Sequence, residues 1–315
     1  MTTQPAVIIA LDKLDNDGEA GFARAGDAGA ALRADVLRRV TGGKVNLPLL
    51  PQIAGQVLTL AASPGADAAQ LSGLIHRDPA LAGQVLRIAN SAAYLPRMPI
   101  VSLQQAVARL GLNTVTEIAL VASMQSGTFK VPGYEADLKR LWRHAIASAL
   151  FGKEIARVRR SNVEAAFLCG LLHAVGKPAL LQVVVDAQRM LEGSGTVHGT
   201  VGAGAGSRSS VLALLDELHT DVGLRIAEVW GLPGAVVSAI ASYACYERTP
   251  GFTQEAVITC LADRLATDLT EPGRFDEGTL RDHPVFAHLN LYPDDVLGLL
   301  AKRPKVSDIV DSMTT

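Results

Sequence analysis

With 315 residues, 49% of them hydrophobic, the chain can bury one large core or two modest ones, which excludes a disordered or fibrous protein. Twenty-nine basic against 31 acidic side chains leave a formal net charge of -2, so no global field draws the molecule to nucleic acid or an anionic membrane, and partners must be met by local patches. Cys169, Cys245 and Cys260 form neither a CxxC pair nor an even-numbered disulfide framework and read as reduced core thiols. No apolar run approaches the roughly 18 uncharged residues of a membrane span, and the N-terminus lacks signal-peptide character; the expectation is a cytoplasmic protein.

In chain order, residues 1–27 combine a short β-prone run, Ala6 to Leu11, with a Gly/Asp/Ala-rich stretch that has little to bury, and read as a loosely ordered tail. A helix is expected over Ala28 to Val40, ended by Thr41-Gly42-Gly43, and Leu47-Pro48-Leu49-Leu50-Pro51 turns the chain into the domain proper. Asp67 can cap a helix starting at Ala68. Asp78-Pro79 is an N-cap followed by proline where its missing N–H costs nothing, so Ala80 to Ala89 is helical. Ser102-Leu103-Gln104-Gln105 and Ser161-Asn162-Val163-Glu164 have capping-box form and start two more helices. Further helices are expected over Leu138 to Arg159, Pro178 to Leu191, Val211 to Trp230, Pro233 to Tyr246 and Thr253 to Leu269. Gly193 to Ser210 is low-complexity and reads as a flexible loop; it lacks the closing Gly-Lys-Ser/Thr of a phosphate loop. After Pro272 one more short helix, following Pro293, is expected. Nothing in the core alternates like a sheet, and the fold class is all-α.

Ile75-His76-Arg77-Asp78-Pro79-Ala80-Leu81, Leu86-Arg87-Ile88-Ala89-Asn90-Ser91-Ala92-Ala93-Tyr94, Leu110-Gly111-Leu112-Asn113, Trp142-Arg143-His144, Leu171-Leu172-His173-Ala174-Val175-Gly176-Lys177 and Val229-Trp230-Gly231-Leu232-Pro233 together resemble the HDOD family, the HD-related output domains of bacterial signalling. The resemblance runs from about Val45 to Leu269. It implies an N-terminal helical subdomain (28–130) packed on a degenerate HD-type bundle (131–271), followed by a C-terminal extension (272–315). Carried over by position, the metal-ligand pattern of HD hydrolases falls on His144, His173-Ala174 and Asp263, with His219 a further relic and the later histidine pair replaced near Ala244-Cys245. A His-Asp pair sets an imidazole and a bridging carboxylate against divalent metal. The methyl of Ala174 cannot bridge, so the resemblance implies a pseudoenzyme with neither metal nor cofactor.

The same residues have plain structural uses. His173 stands where Gly176 can take the left-handed conformation that ends a helix, and His144 and Asp263 lie mid-helix, where Arg264 could pair the carboxylate. Three N/O ligands would nonetheless suffice for one zinc ion. Asn90 and Ser91 suit local backbone hydrogen bonds before the Pro96 and Pro99 turn. Tyr94, Leu95, Arg97 and Met98, of types common at interface centres, form the candidate partner surface. Lys139, Arg140, Arg143, Lys153, Arg157, Arg159 and Arg160 make a basic helix interspersed with acids and lacking a stacking platform. That pattern argues against nucleic acid and leaves room for a nucleotide. The expected function is non-catalytic regulation through contact with a signalling protein. The alternatives are a residual metal-dependent phosphohydrolase and a nucleotide or cyclic-dinucleotide sensor.

Overall fold

A computed structural model describes residues 27–43, 45–61, 63, 65–94, 96, 98–193, 208–274 and 283–314. Among them every regular element is helical. After α1 (Asp27–Thr41), five short helices, α2 (Gln52–Ala61), α3 (Ala68–Ile75), α4 (Pro79–Ala89), α5 (Leu103–Leu110) and α6 (Leu112–Gln125), form an N-terminal lobe around α6. The second bundle is α7 (Glu135–Arg159), α8 (Val163–Leu172), α9 (Gly176–Gly193), α10 (Arg208–Trp230), α11 (Gly234–Ser242) and α12 (Gln254–Thr270), with a 3₁₀ turn at Tyr246–Arg248. Three more helices follow: α13 (Val285–His288), α14 (Pro293–Leu300) and α15 (Arg303–Met313).

The caps fall where short-range chemistry puts them. Asp67 accepts from Gln70 N–H while Gln70 reaches back, Asp78 accepts from the Ala80 and Leu81 amides, Ser102 from Gln105, and Thr253 from Ala256. At α8 the cap is Asn162, not Ser161, because its carboxamide accepts from Ala165 N–H; Glu164 is thereby freed to accept from Asn113 on α6. Other boundaries shift with packing. The long helix begins at Glu135 and α10 at Arg208, so only residues 194–207 of the glycine-rich segment fall outside the described residues. The expected helix from Pro233 to Tyr246 ends at Ser242, and a 3₁₀ turn follows.

Two long-range arrangements differ from the division expected of the chain. Helix α1 packs chiefly on α9 and α10 of the second bundle, where Arg33 pairs with Glu217 at 2.7 Å. The C-terminal segment holds more than one short helix: α15 buries Val306, Ile309, Val310 and Met313 along α7, so this segment is a wall of the bundle. Trp230 donates its indole N–H to Pro48 O at 2.8 Å, tying the end of α10 to the entry of the N-terminal lobe. Cys169 and Cys260 are buried as expected, whereas Cys245 is exposed. The stretch Val163–Leu191 is long and apolar enough to cross a membrane, contrary to expectation; it is mostly buried and interrupted by the turn at residues 173–175.

Candidate functional site: a histidine–aspartate cluster beside Ala174

Glycines let the helices around the site approach closely, α7 against α8 and α9 against α10. A Cβ on Gly152 would lie 2.8 Å from Ala166 O, and one on Gly170 2.5 Å from Ser148 O, so α7 and α8 approach backbone to backbone. That contact sets His144, one turn before Ser148, beside His173, which caps the end of α8. Gly176 acts in the same way and not through a left-handed helix end. It opens α9, and a Cβ there would stand 1.9 Å from His219 O on α10. Asp263 enters from α12.

The carboxylate is the hub. Asp263 Oδ1 lies 2.8 Å from His144 Nε2 and 3.2 Å from His173 Nε2, and the ligand atoms of all three residues lie within 4.8 Å of one another. Arg264 is not the ion-pair partner of this carboxylate. Burial raises the Asp263 carboxyl, but the hydrogen bonds from the two histidines outweigh it and hold the group well below the carboxylate range. His173 is buried with Nδ1 2.8 Å from Gly170 O, a contact only an N–H can satisfy, so Nδ1 carries a proton and Nε2 faces Asp263.

Behind the cluster lies Tyr243, which sequence reasoning missed. Its ring meets the edge of His173 with centroids 4.7 Å apart, and its hydroxyl lies 2.9 Å from His219 Nε2. His219 Nδ1 points at the carbonyls of Leu215 and Asp216, which fixes it as the donor and leaves Nε2 to accept from Tyr243. Burial, with the Lys177 charge adding to it, lowers the His219 pKa to about 4; it is a neutral, engaged core residue. No pattern of spacing along the chain would have singled out Tyr243, which lies 70 residues from His173 and is joined to it only by α11 packing on α8.

A cleft of about 170 Å³ opens onto His144 and Asp263. Ala174 lies on its wall. The cations at this cleft are paired: Lys177 with Asp216 at 2.7 Å, Arg274 with Glu271 at 2.6 Å, and Arg140 with the fully buried Asp137 at 2.9 Å, a carboxylate that Arg208 also engages at 2.6 Å.

The other expected residues divide. Asn90 donates to Leu86 O and Ile100 O and accepts from Ile100 N–H at 2.7 Å, stapling the 91–100 loop; the Ser91 hydroxyl is buried without a partner, contrary to expectation. Tyr94 is half-buried and faces a cleft instead of projecting from the loop. Met98 is 66% exposed beside Val101 at 71%, whereas Leu95 and Arg97 lie outside the described residues. The basic helix is not one cationic face. Arg140, Arg143, Lys153 and Arg157 pair with Asp137, Asp311, Glu117 and Glu154.

A family model described as the HDOD domain matches residues 47–244, well over half of the chain. An uncharacterised protein of Treponema pallidum is 23% identical over 204 residues, covering 62% of this chain and 37% of its own length, so the chain spans little more than a third of that relative. Among solved structures, an HDOD domain protein of unknown function from Geobacter sulfurreducens superposes with a TM-score of 0.67 at 22% identity, covering 90% of this chain and 99% of its own. A protein of Shewanella amazonensis provisionally named a phosphohydrolase gives a TM-score of 0.62 at 21% identity, covering 89% and 98%. At these identities the likeness concerns the fold.

Proposed function

The chain belongs to the HDOD family, and from that premise we propose that it is a non-catalytic, cytoplasmic regulatory protein of bacterial signalling that acts by contact with another protein. The observation that carries this reading is Ala174. With a methyl on the cleft wall no side chain bridges a metal pair, and His219, the nearest relic, spends its free nitrogen on Tyr243. His144, His173 and Asp263 then serve as a packed polar knot joining α7, α8 and α12. The exposed Met98 and Val101 at the edge of the Asn90-stapled loop are the best candidates for the contact surface. Three unpaired thiols fit a reducing compartment.

One observation favours a second reading, that of a single-metal phosphohydrolase. With Nδ1 of His173 donating to Gly170 O, its Nε2 meets Asp263 Oδ1 at 3.2 Å either as the second N–H of the ring or as a lone pair that shares a metal ion with the carboxylate. His144, His173 and Asp263 would hold one divalent ion, and three N/O ligands fit a single site but not a pair. Such an ion would supply Lewis acidity and a water of lowered pKa.

Metal analysis of the purified protein beside a panel of phosphomonoesters, phosphodiesters and nucleotides separates the two. We expect less than stoichiometric Fe, Mn and Zn and no turnover. Hydrolysis that disappears in both His144→Ala and His173→Ala would overturn the non-catalytic reading.

A further inference from the structure

A second cleft, of about 290 Å³, lies where the N-terminal lobe, α7 and α15 meet. Tyr94 and Glu117 reach it from the N-terminal lobe, Lys153 and Arg157 from α7, and Lys302 and Lys305 from the C-terminal segment. Four cations face two carboxylates, since Glu154 also lines it, so its walls carry an excess of two positive charges in a protein of net charge -2. Lys153 and Glu117 are each almost enclosed and pair through both carboxylate oxygens at 2.5 Å, so their charges cancel and the excess rests on Arg157, Lys302 and Lys305 at the open side.

The remaining groups are arranged as a receptor would be. Glu154 engages Arg157 and reaches Lys302 at 3.7 Å, placing one carboxylate between two cations. Lys305 makes no ion pair, and the Tyr94 hydroxyl no hydrogen bond, among the described residues, yet both face this space. An anion with two charges and three acceptor oxygens would satisfy Lys305, Lys302 and Arg157 together, where the single carboxylate of Glu154 satisfies two of them incompletely.

We propose that this cleft binds a phosphate monoester dianion, carried by a sugar phosphate or a mononucleotide, through Arg157, Lys302 and Lys305, with Tyr94 and Lys153 lining its inner end. The site is separate from the histidine–aspartate cluster and does not depend on whether that cluster is catalytic. Its walls come from three segments of the chain, so an occupant joins the C-terminal helix to both lobes. Binding therefore couples to how firmly these parts are held, which is what an input to a regulatory domain requires.

The test is isothermal titration and thermal melting of the full chain with AMP, ribose 5-phosphate and inorganic phosphate, with adenosine as the phosphate-free control. Binding of AMP and ribose 5-phosphate, but not adenosine, is expected. The AMP and ribose 5-phosphate arms tell a nucleotide from a sugar phosphate. Lys302 and Lys305 are exposed, so Lys302→Ala/Lys305→Ala and Lys305→Glu should fold normally by circular dichroism. Each should weaken phosphate ester binding by roughly tenfold or more. The proposal is overturned if none of the three phosphates binds, if adenosine binds as well as AMP, or if both lysine variants keep the wild-type affinity.

Discussion

His219 shows how a single ring is committed by its surroundings: Nε2 accepts from Tyr243 and the other nitrogen donates to the helix backbone, so a proton has nowhere to go without breaking a bond. The folded pKa of about 4 lies below the ordinary 6.5. Between those values the unfolded chain binds the proton and the folded one does not. The stabilisation is therefore complete above about pH 6.5 and is lost as the pH falls toward 4, by about 3 kcal/mol for a shift of this size. Asp263 adds a loss of the same sign at lower pH, below its ordinary 3.8, because it is depressed in the folded state. Urea midpoints measured from pH 7.5 to 4 should decline in the wild type and decline less steeply in His219→Gln, whatever the variant's absolute stability. Equal slopes would show that His219 is not buried as a neutral ring.

Elements were legible in the sequence where one side chain decides them, and less so where two distant segments do. The caps at Asp67, Asp78 and Ser102 each act on an amide within three residues of the cap, so the chain announces them. The cluster of His144, His173 and Asp263 was placed through motif resemblance, and its histidine bonds could not be read from spacing because 119 and 90 residues separate the partners. Gly176 was misread for the same reason. Local rules offered a left-handed turn, whereas the backbone of α10 demanded the missing Cβ. Asn90 is the intermediate case, a cap residue that also holds Ile100, ten positions on, at both its N–H and its carbonyl. Asn90→Ala should cost about 2 to 3 kcal/mol, since it strands buried backbone groups of Ile100, and should speed hydrogen exchange at Ile100 ahead of the rest of the lobe. A loss below about 0.5 kcal/mol would mean that the loop closes without the staple.

At the scale of the whole molecule, the C-terminal segment decides whether the lobes behave as one body. Sequence reading set residues 272–315 apart as an extension with one short helix after Pro293. In the structure α15 instead presses Val306, Ile309, Val310 and Met313 along α7, with Arg143 pairing Asp311 at 2.6 Å and Arg303 pairing Asp268 on α12 at 2.5 Å. Arg87 of the N-terminal lobe reaches Ser312 O at 3.5 Å, so one short helix touches both parts. Four buried apolar side chains, Val306, Ile309, Val310 and Met313, hold α15 against the bundle. A net loss of about 3 kcal/mol is expected on ending the chain at Lys302, which for a domain of this size lowers the melting temperature by roughly 5 to 10 °C. The truncated protein should still fold, because the histidine–aspartate knot and the α7–α8 contact lie outside the deleted residues. It should also expose a strip of α7 that binds a hydrophobic dye, and lose any phosphate ester binding because the wall bearing Lys305, Val306 and Ile309 is gone. An unchanged melting temperature would make α15 an appendage after all, and would leave the two lobes to be held by their own interface.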